Sequence, residues 1–452
     1  ELGVDTGSLD VVILNGYPGS VAATWQRFGR AGRRQQPALG VMVASSQPLD
    51  QYVVRHPDFF AEASPEHARI APDQPLILFD HIRCAAFELP FRVGDGFGPI
   101  DPEVFLEALA ETEVIHREGE RWEWIADSYP ANAVSLRAVA DGNFVVVDRS
   151  DGRQQIIAEV DYSAAALTLY EGAIHMVQST PYQVETLDWE GRKAYVTRTH
   201  VDYYTDSIDF TRLKVLDRFD GGVAGRGDSH HGEVHVVRRV AGYKKIRYYT
   251  HENIGYGPVN LPDQELHTTA VWWQLPQALL LRAFASKQDA LDGFLGAAYA
   301  LHIVATVAVM ADARDLQKSV GNGDGTWIAI ADQSGRGQLR GSDGEPGAVE
   351  LLQEFVPTVY LYDNFPGGVG LSERLWLRQQ ELVQRARELV QRCDCKAGCP
   401  ACVGPVLAAQ EQDETSPRAL ALRVLDLFDA QACQQVADVV VSTRDPMELI
   451  AP

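Results

Sequence analysis

Four cysteines lie within ten residues of one another in the segment CDCKAGCPAC of this 452-residue sequence. They are Cys393, Cys395, Cys399 and Cys402, with the spacing C-x-C-x3-C-x2-C. Four thiolates so close in sequence can close around one tetrahedral ion, and a shell of four cysteines is typical of structural zinc. An iron–sulfur cluster uses the same number of cysteines. The spacing therefore predicts a zinc site and leaves an iron–sulfur cluster as the alternative.

A second cluster that could carry chemistry is the arginine-rich segment RFGRAGRR, residues 27–34, which follows a Pro-Gly turn. Positive charge placed against a phosphoryl group stabilises the charge that develops there during transfer or hydrolysis. Arg30 and Arg33 are three residues apart, so on a helix both would face one side and could reach the same phosphate. The alternative is a basic helix on the surface of an acidic protein.

A third segment, RRVAGYKKIRYY at residues 238–249, interleaves basic and aromatic side chains. Basic groups can neutralise phosphates while aromatic rings stack on bases, so this segment predicts a DNA contact. The alternative is an edge strand with a solvated basic face. The five candidate contact residues are Arg238, Arg239, Lys244, Lys245 and Arg247.

Composition limits the class of protein in which these clusters can occur. A length of 452 residues, of which 46% are hydrophobic, fits a globular protein of about two to four domains. The net charge of −22 argues against nonspecific binding of nucleic acid, although local basic segments can oppose the overall sign. Six cysteines, four of them crowded together, indicate a reducing compartment, so we expect a cytoplasmic protein. The sequence has no run of about eighteen apolar residues, so we expect no membrane partner. The most apolar stretch, residues 294–310, contains His302 and is predicted to be a buried helix.

The elements that would position the arginines form an α/β unit. DVVILN (10–15) and ALGVMVAS (38–45) are short apolar runs typical of buried parallel strands. Between them GYPG turns the chain, and Ser20 is predicted to cap a helix that begins VAATWQRF. Residues 47–60 are expected to lead the chain out of this α/β unit. Strand, turn, helix and strand at this spacing are typical of an α/β fold.

Short helices and a hairpin are predicted next. HIRCAAFELPF (81–91) and VFLEALAETEVIHR (104–117) have helical patterns, and EGERWEWIAD after them predicts a tight hairpin with Gly119 near its tip. Helices followed by a short hairpin indicate a winged helix, which is a common nucleic-acid module. A small α/β connector is the alternative.

The rest of the chain divides into a β-rich region and a helical region. Residues 134–250 alternate apolar and polar side chains between turns, which predicts a barrel or a sandwich. From about residue 265 the sequence reads as mostly helical, and residues 371–393 form an amphipathic helix that leads into the cysteines.

Three short motifs remain open. The glycines of DNFPGGVGLSERLW, residues 363–376, could bind phosphate ahead of a helix, although a structural turn is the favoured interpretation. His230 and His231 are adjacent, so on a strand they would point in different directions and make a poor metal site. Trp272 and Trp273 are predicted to be a core residue beside a surface residue.

Several motifs together resemble one family of nucleic-acid motors. QRFGRAGR resembles motif VI of superfamily 2 helicases, in which arginines of the second RecA-like domain reach nucleotide held by the first. ELGVD, residues 1–5, resembles motif V. Together with GYPGSVAATWQ, LDQYVVRHPDFF, HIRCAAFELPF and YDNFPGGVGLSERLW, the resemblance covers nearly the whole chain in order. The branch it indicates is that of the mitomycin-repair-factor-like (Hrq-type) DNA helicases, which carry a C-terminal DUF1998-type domain.

The resemblance implies sites, cofactors and a partner. The family consists of 3′-to-5′ DNA translocases that use ATP and hold one zinc ion in the cysteine domain. By this resemblance Arg30 and Arg33 would act as arginine fingers, and Gly3, Asp5 and Gln26 would also contact nucleotide. The implied partner is DNA, either single-stranded or duplex with a 3′ tail. The implied location is the bacterial nucleoid.

The resemblance also implies an α/β and α+β multidomain architecture. Its four regions are the end of a second RecA-like helicase domain (1–62), a winged-helix-like module (63–133), a β-rich barrel-like region (134–255) and a mainly helical DUF1998-type zinc-binding domain (256–452).

Two motifs that a helicase needs do not occur in the sequence, namely the Walker A loop that cradles phosphates and the Walker B acid that holds magnesium. We therefore expect the chain to be the C-terminal half of an ATP-dependent DNA helicase, acting in DNA repair. It would need the N-terminal half as a partner to bind ATP and magnesium, and would be inactive alone. The alternative is a free-standing DNA- or protein-binding accessory module without ATPase activity.

Overall fold

The computed structural model describes residues 9–32, 37–45, 48–61, 71, 73–134, 142–250, 252–284, 287–312, 315–322, 356–404 and 416–433. Three of the predicted nucleotide-site residues, Gly3, Asp5 and Arg33, lie outside this part of the chain.

The first unit is a parallel strand–helix–strand arrangement, as predicted. β1 (Val11–Asn15) and β2 (Leu39–Val43) pair in parallel, with α1 (Val21–Phe28) between them in sequence. α2 (Pro48–Arg55) and α3 (Asp58–Ala61) then lead out of the unit.

Ser20 confirms the predicted start of α1, because its Oγ accepts the backbone N–H of Ala23 at 3.0 Å. The prediction that both strands are buried is wrong for the described residues, since Ile13 and Leu39 are 67% and 57% exposed. The Phe28 ring packs against β2. The side chains of the described residues therefore bury only part of this two-stranded sheet.

The second unit combines two helices with a small antiparallel sheet. α4 (Pro75–Glu88) and α5 (Glu103–Glu111) pack on a hairpin that turns at Gly119, where φ is 63°. The helix predicted over residues 104–117 ends earlier, because its last residues, from Ile115, belong to a strand. Two helices with this hairpin confirm the winged-helix prediction. The strands, ordered β3–β5–β4, are β3 (Phe91–Arg92), β4 (Ile115–Glu118) and β5 (Arg121–Trp124).

The third unit is a five-stranded sheet with one helix. Its strand order is β7–β6–β10–β9–β8, and β10 runs parallel to β6. Phe144, Val146 and Tyr170 are buried in its core. The elements are β6 (Asn143–Asp148), β7 (Gln155–Asp161), α6 (Tyr162–Thr168), β8 (Ile174–Val177), β9 (Thr180–Asp188) and β10 (Lys193–Arg198).

The fourth unit is a six-stranded sheet built on a long hairpin. Its strands are β11 (Tyr203–Ala224), β12 (Gly227–Arg247), β13 (Asn253–Pro258), β14 (Gln264–Gln274), β15 (Leu316–Asn322) and β16 (Pro357–Asp363). The order is β11–β12–β14–β16–β15, with β13 paired to β12. β11 and β15 also approach each other, so the sheet nearly closes, in agreement with the barrel-like prediction. β14, β15 and β16 extend the sheet past residue 255, into the region predicted to be mainly helical.

A helical layer covers one face of this sheet. The main core cluster includes Trp273 and Val359 from the strands with Phe294, Val383 and Leu425 from the helices. The helices are α7 (Gln277–Ala283), α8 (Lys287–Val309), α9 (Leu371–Leu377), α10 (Gln379–Gln391) and α11 (Pro417–Phe428).

Both tryptophans of β14 are buried, so the prediction of one core and one surface residue is wrong. Trp272 and Trp273 are 1% and 0% exposed. Neighbouring residues of a strand point to opposite faces. Trp273 packs against the helices, whereas Trp272 packs with Leu213 and Tyr360 on the other face. Both are buried because this sheet is covered on both sides.

α8 is the predicted buried helix. It is the one helix in the described ranges whose length and composition would suffice to cross a membrane, and 67% of its most apolar window is buried inside the structure. Ala297, Leu301 and Ala305 are buried in the main core. The His302 ring Nε2 lies 2.8 Å from the carbonyl oxygen of Leu316 in β15. These contacts are those of a core helix.

Candidate metal centre and arginine segment

The arginine segment does not continue α1. The helix ends at Phe28, and the backbone N–H of Gly29 caps it by donating to carbonyls of the last turn. Half-buried Arg30 follows in a turn, and Ala31 forms a parallel bridge to Leu9. Arg30 therefore lies in a turn after α1, whereas the sequence predicted a shared helical face for Arg30 and Arg33. Gln26, in contrast, lies on the last turn of α1 and is exposed.

Asp50 of α2 holds the loops on either side of this segment. Its buried carboxylate accepts the N–H of Tyr17, after β1, at 3.0 Å and the N–H of Ser45, after β2, at 2.7 Å. Since the carboxyl ends of parallel strands lie at one edge, Asp50 ties that edge together. Asp50 lies in the LDQYVVRHPDFF motif of the family resemblance, but the sequence did not single it out as a site residue.

The four predicted cysteines meet at one point. Their Sγ atoms all lie within 4.8 Å of one another. The separations are 3.6 Å for Cys393–Cys399, 3.5 Å for Cys395–Cys402 and 3.8 Å for Cys399–Cys402. Sulfurs about 2.3 Å from a tetrahedral zinc ion would be about 3.8 Å apart, so the cluster fits one zinc ion. An iron–sulfur cluster would bind the thiolates through more than one iron and spread them further.

Arg418, at the start of α11, clamps the cysteine loop. Its guanidinium donates to the carbonyls of Val390, Gln391 and Cys395 at 3.1, 2.9 and 2.9 Å. The first two carbonyls belong to the last turn of α10, where that of Val390 also accepts the backbone N–H of Cys393 at 3.4 Å. Gly398 permits the close approach of the loop, because its φ is 120° and a Cβ there would meet the Val403 side chain at 2.8 Å.

Arg55 of α2 connects the first unit to the metal centre. It donates to Cys393 Sγ at 3.2 Å across 338 residues of sequence. Burial opposes ionisation of the Cys393 thiol, but hydrogen bonds from the Cys395 backbone and Arg55 lower its pKa to about 6. Burial raises the pKa of Cys395 to about 11. A bound zinc ion requires all four thiolates and favours their ionised form, so metal and Arg55 act in the same direction on Cys393.

Among the described residues, no histidine joins this centre. In the part of the chain that the structure covers, the four cysteines are the one group of three or more potential ligands whose donor atoms converge. His230 packs beside Trp272 and His231 beside Phe219, each with ring centroids 5.5 Å apart. The adjacent histidines therefore contact different surroundings, as expected for neighbours on a strand.

The backbone of the glycine-rich motif binds a carboxylate of the chain itself, that of Asp363 at the end of β16. The fully buried Asp363 carboxylate accepts the N–H groups of Val369, Leu371 and Ser372 at 2.8, 3.0 and 2.8 Å. Burial raises the pKa of Asp363, and the three N–H donors oppose this shift. Gly368, with φ 76°, allows the chain to fold back. The structure thus supports the structural-turn interpretation, since a carboxylate already uses the amides that a phosphate would need.

Most of the predicted DNA-binding segment is paired with carboxylates. Arg239 forms two bonds of 2.7 Å to Asp263, whose pKa is lowered chiefly by this contact. Arg238 lies 3.7 Å from Asp209. Arg247 lies within 3.4 Å of two carboxylates. These ion pairs reduce the positive charge that the segment offers to a phosphate.

The two lysines of the segment differ in exposure. Lys244 is 7% exposed and lies opposite Asp206 in the β11–β12 pairing, so the prediction that it contacts DNA is not supported. Lys245 is half-buried, and its Nζ lies 5.4 Å from the centre of the Tyr203 ring. Lys245 is the best placed of the five residues for a phosphate contact.

Two segments of the chain match described domain families. Residues 297–403 match the MrfA Zn-binding domain, and all four cysteines lie inside this range. Residues 70–139 match the winged helix domain of the ATP-dependent helicase HRQ1, and they include the hairpin and both of its helices.

Longer similarities extend over nearly all of the chain. It is 39% identical over 430 residues to the uncharacterized ATP-dependent helicase YprA of Bacillus subtilis, covering 95% of this chain and 52% of YprA. It is 27% identical to the ATP-dependent helicase HRQ1 of Saccharomyces cerevisiae, covering 89% of this chain and 36% of HRQ1. The crystal structure of the DUF1998 helicase MrfA bound to DNA matches with a TM-score of 0.58 at 38% identity, covering 95% of this chain and 53% of that one.

The similarity runs through every unit of the fold and is not confined to the zinc domain. The similarities therefore support the C-terminal portion of a DUF1998-type helicase as the class of this chain. Within this class the similarities are to the Hrq/MrfA-type helicases, and the four cysteines of this chain form a structural zinc site. The chain spans about half the length of YprA and of the MrfA structure that it matches.

Proposed function

We propose that this chain forms the C-terminal half of an ATP-dependent DNA helicase that moves 3′ to 5′ and acts in DNA repair at the bacterial nucleoid. The observation that carries the proposal is the 39% identity to an ATP-dependent helicase over 95% of the chain. The DUF1998 helicase MrfA, whose crystal structure contains DNA, supports DNA as the partner. The proposed form of that DNA, a single strand or a duplex with a 3′ tail, rests on the family resemblance alone.

In this proposal the arginine segment completes a nucleotide site on the N-terminal half. Arg30 and Arg33 act as arginine fingers, which place positive charge on the γ-phosphate as charge develops there. Gly3, Asp5 and Gln26 supply the other contacts. Asp50 acts indirectly, because it fixes the strand ends from which the turn and α1 lead to Arg30.

The zinc ion has a structural role in this scheme. Four cysteines occupy every position of a tetrahedral ion, so no position remains for an activated water. Cys393 lies just after the end of α10. Arg418 of α11 donates to the cysteine loop, and Arg55 of α2 donates to Cys393. The metal centre thereby helps to orient the α/β unit on the helical layer.

The test uses the intact protein, containing the Walker motifs, and this chain alone. We expect DNA-stimulated ATP hydrolysis and unwinding of 3′-tailed duplexes from the intact protein, and neither from this chain. Arg33→Ala in the intact protein should lower hydrolysis by about 10³-fold or more while DNA binding remains. Arg153→Ala, at an exposed turn in the five-stranded sheet, is the control. Unwinding that requires a 5′ tail, or equal loss of binding and hydrolysis, would contradict the proposal.

A further inference from the structure

The winged-helix module contains a recess that is separate from the metal centre and from the arginine segment. Its volume is about 410 Å³, within the range of about 300–1,000 Å³ that small-molecule sites occupy. It opens to solvent between α4, the end of the β4–β5 hairpin and the segment that follows. The lining residues used below are Arg83, Trp124, Tyr129 and Asn132.

Aromatic rings make one wall of this recess. Phe87 packs edge-to-face against Trp124 and against Tyr129, with centroids 5.4 and 5.3 Å apart. The Trp124 ring is held further by a hydrogen bond of 2.6 Å from its Nε1 to the carbonyl of Ala126. Tyr129 nevertheless remains 56% exposed. A fixed and exposed ring is suited to stacking, because little side-chain freedom is lost when a ligand binds.

The polar groups of the recess are suited to a neutral, planar ligand. The Arg83 side chain is 23% exposed, and its Nη2 donates a long hydrogen bond of 3.5 Å to the carbonyl of Pro130. The same guanidinium lies 3.4 Å from the Asp80 carboxylate, which offsets its charge. Asn132 is exposed and offers both a donor and an acceptor. A ligand with a flat face and hydrogen-bonding edges could use the exposed part of the Arg83 guanidinium and the Asn132 amide, whereas a phosphate would find little net positive charge.

We propose that this recess binds one unpaired nucleobase of single-stranded DNA, stacked on Tyr129 and hydrogen-bonded at its edge by Arg83 and Asn132. This inference rests on the proposed function, in which DNA is the partner. A paired base is stacked on both faces within a duplex and cannot enter, so the recess selects DNA that has already been separated.

The experiment measures binding of the intact protein to a fluorescent oligothymidylate over a range of salt concentrations. Tyr129→Ala should weaken binding by about 5- to 140-fold, because stacking on one aromatic ring supplies about 1–3 kcal/mol. The salt dependence should not change, because a neutral base releases no counterions. Tyr129→Phe should bind normally, since stacking does not use the hydroxyl. Phe219→Ala, which alters a ring that is 52% exposed on β11, is the matched control.

An oligonucleotide of the same length that lacks bases is the second probe. Wild type and Tyr129→Ala should bind it equally, because the lost contact is to the base. A loss that is the same for both probes would overturn the proposal, as would wild-type affinity of Tyr129→Ala for the oligothymidylate. The second result is also the one expected if the recess binds a peptide. Failure of the wild-type protein to bind either DNA would instead refute the proposed function.

Discussion

Replacing Arg418 tests whether the zinc site depends on a side chain that is not a ligand. Its guanidinium makes three hydrogen bonds that hold the cysteine loop on the end of α10. Arg418→Ala removes all three and leaves two helix-end carbonyls and one loop carbonyl without this donor. Arg418→Lys keeps the charge but cannot reproduce the planar set of donors.

The structure gives the size of the expected effect. A hydrogen bond from a charged donor contributes about 1.5–3 kcal/mol when it is shielded from water. The bond to Gln391 is exposed and contributes little. The bonds to Val390 and Cys395 are partly buried, so we expect a total loss of about 2–4 kcal/mol. If the substitution destabilises only the zinc-bound state, the dissociation constant for zinc rises about 30- to 700-fold, because each factor of ten corresponds to about 1.4 kcal/mol.

Zinc release to a chromophoric chelator and the thermal unfolding of the C-terminal region provide the assays. Arg418→Ala should release zinc faster and unfold at lower temperature, with Arg418→Lys between it and the wild type. Arg392→Ala is the matched control, because Arg392 lies close to the same loop but is 75% exposed and forms a long ion pair with Glu388 at 3.7 Å. If Arg418→Ala behaves like Arg392→Ala, the clamp does not stabilise the metal centre.

Three further predictions follow from the contacts above. Asp363→Ala leaves three buried N–H groups without an acceptor and should lower the free energy of unfolding by about 3–6 kcal/mol, measured with denaturant; a loss below about 1 kcal/mol would refute the internal-anion assignment. Lys245→Ala should reduce the salt slope of DNA binding by about one unit, whereas Lys244→Ala should lower stability and leave the slope unchanged; the opposite pattern would restore Lys244 as the contact. Arg30→Ala in the intact protein should lower ATP turnover by about 10³-fold and change DNA affinity little, which filter binding and a phosphate-release assay can separate.

Features that depend on a few neighbouring residues could be predicted from the sequence. Ser20 caps α1 and Gly119 turns the hairpin, because each needs only the backbone within about four residues. The four cysteines converge for the same reason, since at most nine residues separate them along the chain. The parallel strands, the winged helix and the barrel-like sheet follow from periodicity and turn residues, which are also local.

Contacts between distant residues were decided only by the tertiary structure. Periodicity predicts a strand but not how many of its faces are covered, so β14 was expected to expose one tryptophan and β1 was expected to be buried. The charge of the 238–249 segment is read from sequence, yet its carboxylate partners come from β11 and from the turn before β14. Arg55 reaches Cys393 only because α2 packs beside the helical layer. The chemical groups of this protein can be read from its residues, whereas their availability depends on how its units pack.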